Sequence, residues 1–234
     1  MTLRLENVVP WGRTMAEYVA MFDLTPQDLE LRILDCGGGP ASFNAELTKR
    51  GGRVVSCDPL YRFGAPEIER RVEETYPVML RGVEEEKERF VWTRIGSPAE
   101  LGEVRLRAMR CFLEDFEVGM AEERYRVDSL PELPFRQGEF DLALCSHLLF
   151  LYSDQFDVDF HLASIRELLR VARQVRIFPL LDLAGKESAH LRPVTETLER
   201  AGYTSHVRPV PYEFQKSGDR MLVVEGAAAA PISG

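Results

Sequence analysis

The chain has 234 residues, 45% of them apolar and 29% charged, and carries a net charge of −9. That length and apolar share suit one α/β domain with a well-filled core, and the acidic balance argues against an extended nucleic-acid surface, which needs clustered Lys and Arg. No apolar run is long enough to span a bilayer and no signal-peptide pattern opens the chain. A cytoplasmic protein is therefore expected, with Cys36, Cys57, Cys111 and Cys145 as reduced thiols whose spacing is not that of a metal site.

In chain order, Thr14 to Phe22 and Thr25 to Leu29 read as short helices, the second capped by Thr25 with Pro26 at its first position. Leu31 to Leu47 then reads as a strand, a tight loop and a helix. Leu31, Ile33, Leu34 and Cys36 suit a buried parallel strand, and Pro40 fits a first helical turn. Between them Gly37, Gly38 and Gly39 permit positive backbone angles and let a ligand approach the main chain. Such a loop aims free N–H groups above the strand end, where open α/β sheets bind nucleotides. The next strand, Arg53 to Cys57, is followed at once by Asp58, an acid placed to take two ribose hydroxyls. The same pattern serves NAD enzymes. Here, however, Ser42 stands where a dinucleotide fingerprint has its third glycine, and Asp35 puts a carboxylate where a diphosphate is repelled and an ammonium group is welcomed.

From Arg62 to Glu123 the connection is longer than an alternating sheet needs, and reads as a helical insertion. Pro66 to Thr75 and Val78 to Phe90 are charged helices divided by Pro77, with Glu67/Arg71 and Glu85/Arg89 at neighbour spacing. Ser97-Pro98-Ala99-Glu100 is a capping box opening a third helix with Leu101, Val104, Ala108, Phe112 and Phe116 as one apolar stripe. The stripe reads as core, with burial in a homodimer partner as the alternative. Strands follow at Arg124 to Val127 and Glu139 to Cys145. After them come a helix at Asp157 to Ala172, a strand at Gln174 to Leu181 and a helix at Leu191 to Ala201 stopped by Gly202. The strands Tyr203 to Val210 and Arg220 to Glu225 end the fold, and residues 226–234 read as a flexible tail. His147, just past strand four at the sheet's carboxyl edge, is the histidine placed for chemistry: a neutral imidazole there can take an acceptor's proton. A histidine satisfied by neighbouring backbone is the competing reading.

These residues resemble the class I S-adenosylmethionine-dependent methyltransferases, from Ile33 to about Glu225. The likeness rests on the acid and Gly-rich loop at Asp35 to Gly39, the strand-two acid Asp58, Leu133-Pro134-Phe135, Phe140-Asp141-Leu142 and the terminal strand pair, with Cys36 departing from the more usual glycine. It implies one doubly wound, mostly parallel seven-stranded sheet with a terminal antiparallel hairpin and the helical insertion between strands two and three. It also implies S-adenosyl-L-methionine as cofactor. Asp35, Cys36, Gly37, Gly38 and Gly39 then pass beneath its methionine part, with Cys145 at the end of strand four. Asp58 with Pro59 holds its ribose, and Asp128, Ser129 and Leu130 lie at its adenine. Trp11, Gly12, Arg13 and Tyr18 sit where many such enzymes carry a lid, Arg13 facing the cofactor carboxylate. Three functions stay open: methyl transfer to an acceptor, a small molecule by the acidity of the chain; an NAD-dependent oxidoreductase; and a non-catalytic S-adenosylmethionine-binding module.

Overall fold

Seven strands form one sheet in the order β3-β2-β1-β4-β5-β7-β6, in a computed structural model that describes residues 11–226. The strands are β1 (Arg32–Cys36), β2 (Arg53–Cys57), β3 (Tyr125–Arg126), β4 (Phe140–Ser146), β5 (Ala172–Phe178), β6 (Thr204–Pro209) and β7 (Arg220–Glu225). β1 to β5 run parallel, and β7 enters antiparallel between β5 and β6. This is the sheet of the class I methyltransferase fold. Apart from Gly226, the expected tail lies outside the described residues.

Helices cover both faces because the strands alternate their side chains between them. On one face α1 (Met15–Met21) and α2 (Phe43–Lys49) bury Met15, Tyr18, Phe22, Phe43 and Leu47 against Ile33, Leu142 and Leu144. On the other, α5 (Val158–Val171) and α6 (Leu191–Arg200) bury Ile165, Leu168, Val194 and Leu198 against Leu34, Ala143, Val175 and Ile177. The two-sided apolar strands seen in the sequence follow from this double cover.

Between β2 and β3 stand two long helices, α3 (Ala65–Glu85) and α4 (Pro98–Ala121). The expected break at Pro77 is absent, since α3 runs through it. A proline inside a helix costs about 3 kcal/mol, and packing on both sides outweighs that. Ile68 and Val72 before it and Val83 after it are buried, and Tyr76 lies over Gly102 of α4. Glu67 pairs with Arg71 at 3.0 Å as the spacing predicts. The pair expected between Glu85 and Arg89 does not form, because the helix ends at Glu85 and Arg89 turns to Glu86 and to the Leu183 carbonyl. In α4, Leu101, Ala108, Phe112 and Phe116 are buried within this chain; the last two join Tyr61 and Tyr125 in an aromatic cluster. That stripe is thus filled internally, which removes the dimer seam considered for it. Its unexpected member is Arg105, fully buried.

Three further expectations are corrected. Thr25 to Leu29 is a turn leading into a single 3-10 turn at Asp28–Glu30, and Asp28 is drawn instead to Arg176 at 3.1 Å. α2 starts at Phe43 rather than Pro40, since Gly39 turns at φ +54° and the Ser42 N–H donates to the Arg13 carbonyl at 3.0 Å. The third strand is two residues long. The segment after α3 crosses to the loop before β7: Val91 N–H donates to Phe214 O at 2.8 Å, Lys216 N–H donates to Arg89 O at 3.0 Å, and the Phe90 ring stacks on Phe214.

Candidate active site

The strand order turns around between β1 and β4, and a cavity of about 500 Å³ opens above the carboxyl ends of β1, β2 and β4. That place and size are those of a small-molecule site in an open α/β sheet. Its floor is Gly37, Gly38, Gly39 and Pro40, with Asp58 on one side and Ser146 and His147 on the other. Trp11 and Arg13 close the end nearest α1; Phe63 with Arg71, Glu74, Thr75 and Met79 of α3 form the roof. A narrower compartment of about 40 Å³ adjoins it, walled by Cys36, Cys57, Pro59, Ser129, Leu130 and Leu148. Gly37, Asp58, His147 and Tyr152 face both.

The loop has its shape because Gly37 sits at φ +76° and Gly39 at φ +54°, angles that cost an L side chain energy. Gly38 has a different constraint, since a Cβ there would come within 2.4 Å of an Asp35 carboxylate oxygen. Asp58 accepts from Gly39 N–H at 3.0 Å and from Leu60 N–H at 2.8 Å, and so joins the β1 loop to the end of β2. Burial pushes its carboxyl above the usual range while these two N–H donors pull it back.

Three sequence-predicted residues lie off the cavity wall. Asp35 points to the α1 side of the sheet, beneath the loop, where it accepts from Tyr18 Oη and Ser56 Oγ at 3.1 Å each. Cys145 points to the opposite face, into the α5 side of the core. Asp128 turns to Arg126, Nε to Oδ2 2.7 Å, leaving Ser129 and Leu130 on the wall of the small compartment. Of the lid residues, Trp11 and Arg13 line the cavity, while Gly12 lies against the Pro40 carbonyl and Tyr18 stacks on Phe43. Tyr152 is on the wall beside Leu151 and Gln155. In the sequence the roof residues of α3 read only as charged helix neighbours, and Leu183 carried no signal.

Beside Arg13 lies a buried ion pair that sequence reasoning also missed. Arg105 of α4 pairs with Glu17 of α1, which also caps its own helix through Thr14 and accepts from Tyr212 Oη at 3.0 Å. Burial works against both charges. The Arg105 charge and hydrogen bond nonetheless hold Glu17 at about 2. Arg13 donates to the Trp11 carbonyl at 2.8 Å and pairs with no carboxylate among the described residues, and its Nε is buried without a partner. The signal for Arg105 was in the sequence: a charge four residues after Leu101, inside the apolar stripe.

His147 adopts φ +54°, an uncommon angle for a non-glycine residue and one that clusters at functional sites. Its N–H donates to Phe178 O at 2.7 Å and its Nδ1 lies 2.9 Å from Ser146 Oγ. Burial, with Arg13 and Arg105 adding to it, pushes the imidazole well below its ordinary range, so the ring is neutral at physiological pH.

Burial also raises Asp35 to about 7, against the hydrogen bonds from Ser56 and Tyr18. Unfolded, it titrates near 3.8. Between these values the folded state holds the extra proton, so this group's contribution to stability falls as pH rises from about 4 to about 7 and is lost above that. Asp35→Asn is expected to be more stable relative to wild type at pH 8 than at pH 5, by about 2–4 kcal/mol in urea unfolding followed by circular dichroism. A difference that stays constant with pH would place the buried proton elsewhere.

No family model matches the sequence. Among solved structures, magnesium protoporphyrin IX methyltransferase (ChlM) from Synechocystis PCC 6803 with bound SAM superposes with a TM-score of 0.46 at 14% identity, over 90% of this chain and 77% of that one. A putative O-methyltransferase from Nostoc punctiforme PCC 73102 superposes with a TM-score of 0.47 at 12% identity, over 90% of this chain; the match spans 55% of that structure's length. Over 225 residues, 95% of this chain and 98% of the other, the sequence is 33% identical to Uncharacterized protein MJ0045 of Methanocaldococcus jannaschii. By that identity the chain belongs to the family of the Methanocaldococcus jannaschii protein MJ0045, and it carries the class I methyltransferase fold.

Proposed function

We propose that the protein is an S-adenosylmethionine-dependent methyltransferase acting on a small molecule. The observation that carries this is Asp58, which stands at the end of β2 between the two compartments and is tied to the glycine loop of β1. In this reading Asp58 takes the ribose hydroxyls through its remaining lone pairs, and the loop Gly37 to Gly39 lies under the methionine part. Cys36, Pro59, Ser129 and Leu130 enclose the adenine. Arg13, with an N–H group buried and unpartnered beside the loop, suits the methionine carboxylate. A dinucleotide fits less well. The Ser42 N–H before α2 is taken by the Arg13 carbonyl, and Glu46 in the first turn sets a negative charge against a diphosphate there.

The bound sulfonium supplies an electrophilic methyl group, and the remaining work of the chain is alignment and exclusion of water. Trp11 and the α3 roof cover the loop, and Tyr152 and Gln155 offer hydrogen bonds to an acceptor beside Ser146 and His147. Calorimetric titration tests the reading: S-adenosylhomocysteine is expected to bind and NAD is not. Tight NAD binding with no heat from S-adenosylhomocysteine would sink it.

A further inference from the structure

The charges around the methyl-transfer end of the cavity are unequal. Arg13 on the wall and Arg105 behind it have one carboxylate beside them, Glu17, which pairs with Arg105, and three of their N–H nitrogens (Arg13 Nε, Arg105 Nε and Arg105 Nη2) are buried without a hydrogen-bond partner. A buried unsatisfied donor is costly, more so when charged, so the arrangement favours an anion nearby. The methionine carboxylate takes Arg13 Nε in the proposed function, but the methionine ammonium cancels that carboxylate's charge, so the excess positive charge stays in place and the sulfonium adds one more.

The same wall offers no free base. Among the described lining residues, Asp58 is occupied by the Gly39 and Leu60 N–H groups and, in the proposed function, by the ribose, and Glu74 is paired with Arg70. His147 turns its Nδ1 to Ser146 Oγ, and its imidazole is a weak proton acceptor for the reason given above. An alcohol or an ammonium group needs a base to remove its proton, and an ammonium is in addition repelled by the two guanidiniums. Beyond this polar end the walls are Trp11, Phe63, Met79, Leu151 and Leu183, the last half exposed at the mouth.

We propose that the acceptor is a small organic acid with an apolar body, methylated on its carboxylate oxygen at the end of the cavity flanked by Arg13 and His147. The proposal rests on the methyl-transfer reading. A lone pair of the carboxylate oxygen forms the new bond to the methyl carbon, the S–CH₃ bond breaks, and its electron pair stays on sulfur as a neutral thioether. No proton is transferred, so no base is required.

The test uses the whole chain and three matched probes: phenylacetate, 2-phenylethanol and 2-phenylethylamine. S-adenosylhomocysteine is titrated first; if it does not bind, the cofactor reading fails there and the proposal with it. To the saturated complex phenylacetate is expected to bind about tenfold more tightly than either neutral or cationic probe, and in Arg13→Gln, saturated afresh at the higher S-adenosylhomocysteine concentration the variant needs, most of that preference is expected to disappear. With methyl-labelled S-adenosylmethionine, any label transferred to phenylacetate is expected to be released by alkali, as from an ester. Equal or tighter binding of the amine or the alcohol, or transferred label that resists alkali, overturns the proposal while leaving the cofactor reading in place.

Discussion

Glu17→Gln is expected to destabilise the protein by about 3–5 kcal/mol, because it leaves the Arg105 guanidinium buried without a counter-charge. The loss has several parts. Glu17 accepts from Arg105, Tyr212 and the Thr14 backbone, so α4, the loop before β7 and the N-terminus of α1 all converge on one carboxylate. Arg105→Met alone strands the carboxylate instead and should cost a similar amount. Removing both charges with a volume-matched pair, Glu17→Met with Arg105→Met, should recover much of the loss. Chemical denaturation at pH 7 on the two single variants and the double variant measures this. If the double variant loses the sum of the two single losses, the residues act independently and the pair is not the organising contact.

The second large effect is expected at Asp58. Asp58→Ala removes the acceptor of the Gly39 and Leu60 N–H groups and, in the proposed function, the ribose contact as well. Hydrogen bonds to a charged group contribute about 1.5–3 kcal/mol each, so S-adenosylhomocysteine affinity should fall at least tenfold. Asp58→Asn keeps one oxygen acceptor and should fall between the two. Circular dichroism separates loss of ligand from loss of fold, and an unchanged affinity in a folded Asp58→Ala protein would falsify the placement of the ribose.

How far the sequence could be read depended on whether the deciding interaction was local. Asp58 and Gly37 to Gly39 were legible because a strand end, a loop that needs positive φ and an acid at fixed spacing leave a one-dimensional trace. The seven strands were legible in kind, and β3 was overextended because its pairing with β2 involves two residues. Asp35 was read as a ligand contact. Whether an acid at a strand end faces the cavity or the opposite side depends on pleat direction and on Tyr18, seventeen positions away. Pro77 was read as a stop because local propensity says so, and the burial that overrides it comes from α4. The α3 roof shows the same limit: Arg71 and Glu74 form ordinary helix-surface pairs with Glu67 and Arg70, and the fold sets them over the site.

The crossing between the segment after α3 and the loop before β7 has a consequence for how such a site can diversify. The roof enters and leaves the sheet at adjacent strands, β2 and β3, so in principle one contiguous exchange replaces it. The Phe90–Phe214 stack and the paired main chains at 89–91 and 214–216 mean that such an exchange is not self-contained. A roof transplanted from a relative without its matching residue at 214 arrives with one seam open, exposing Phe90 and Trp92. Chimaeras in this family should therefore be designed with two crossover intervals, and natural variants of the roof should change in step with a position more than a hundred residues downstream.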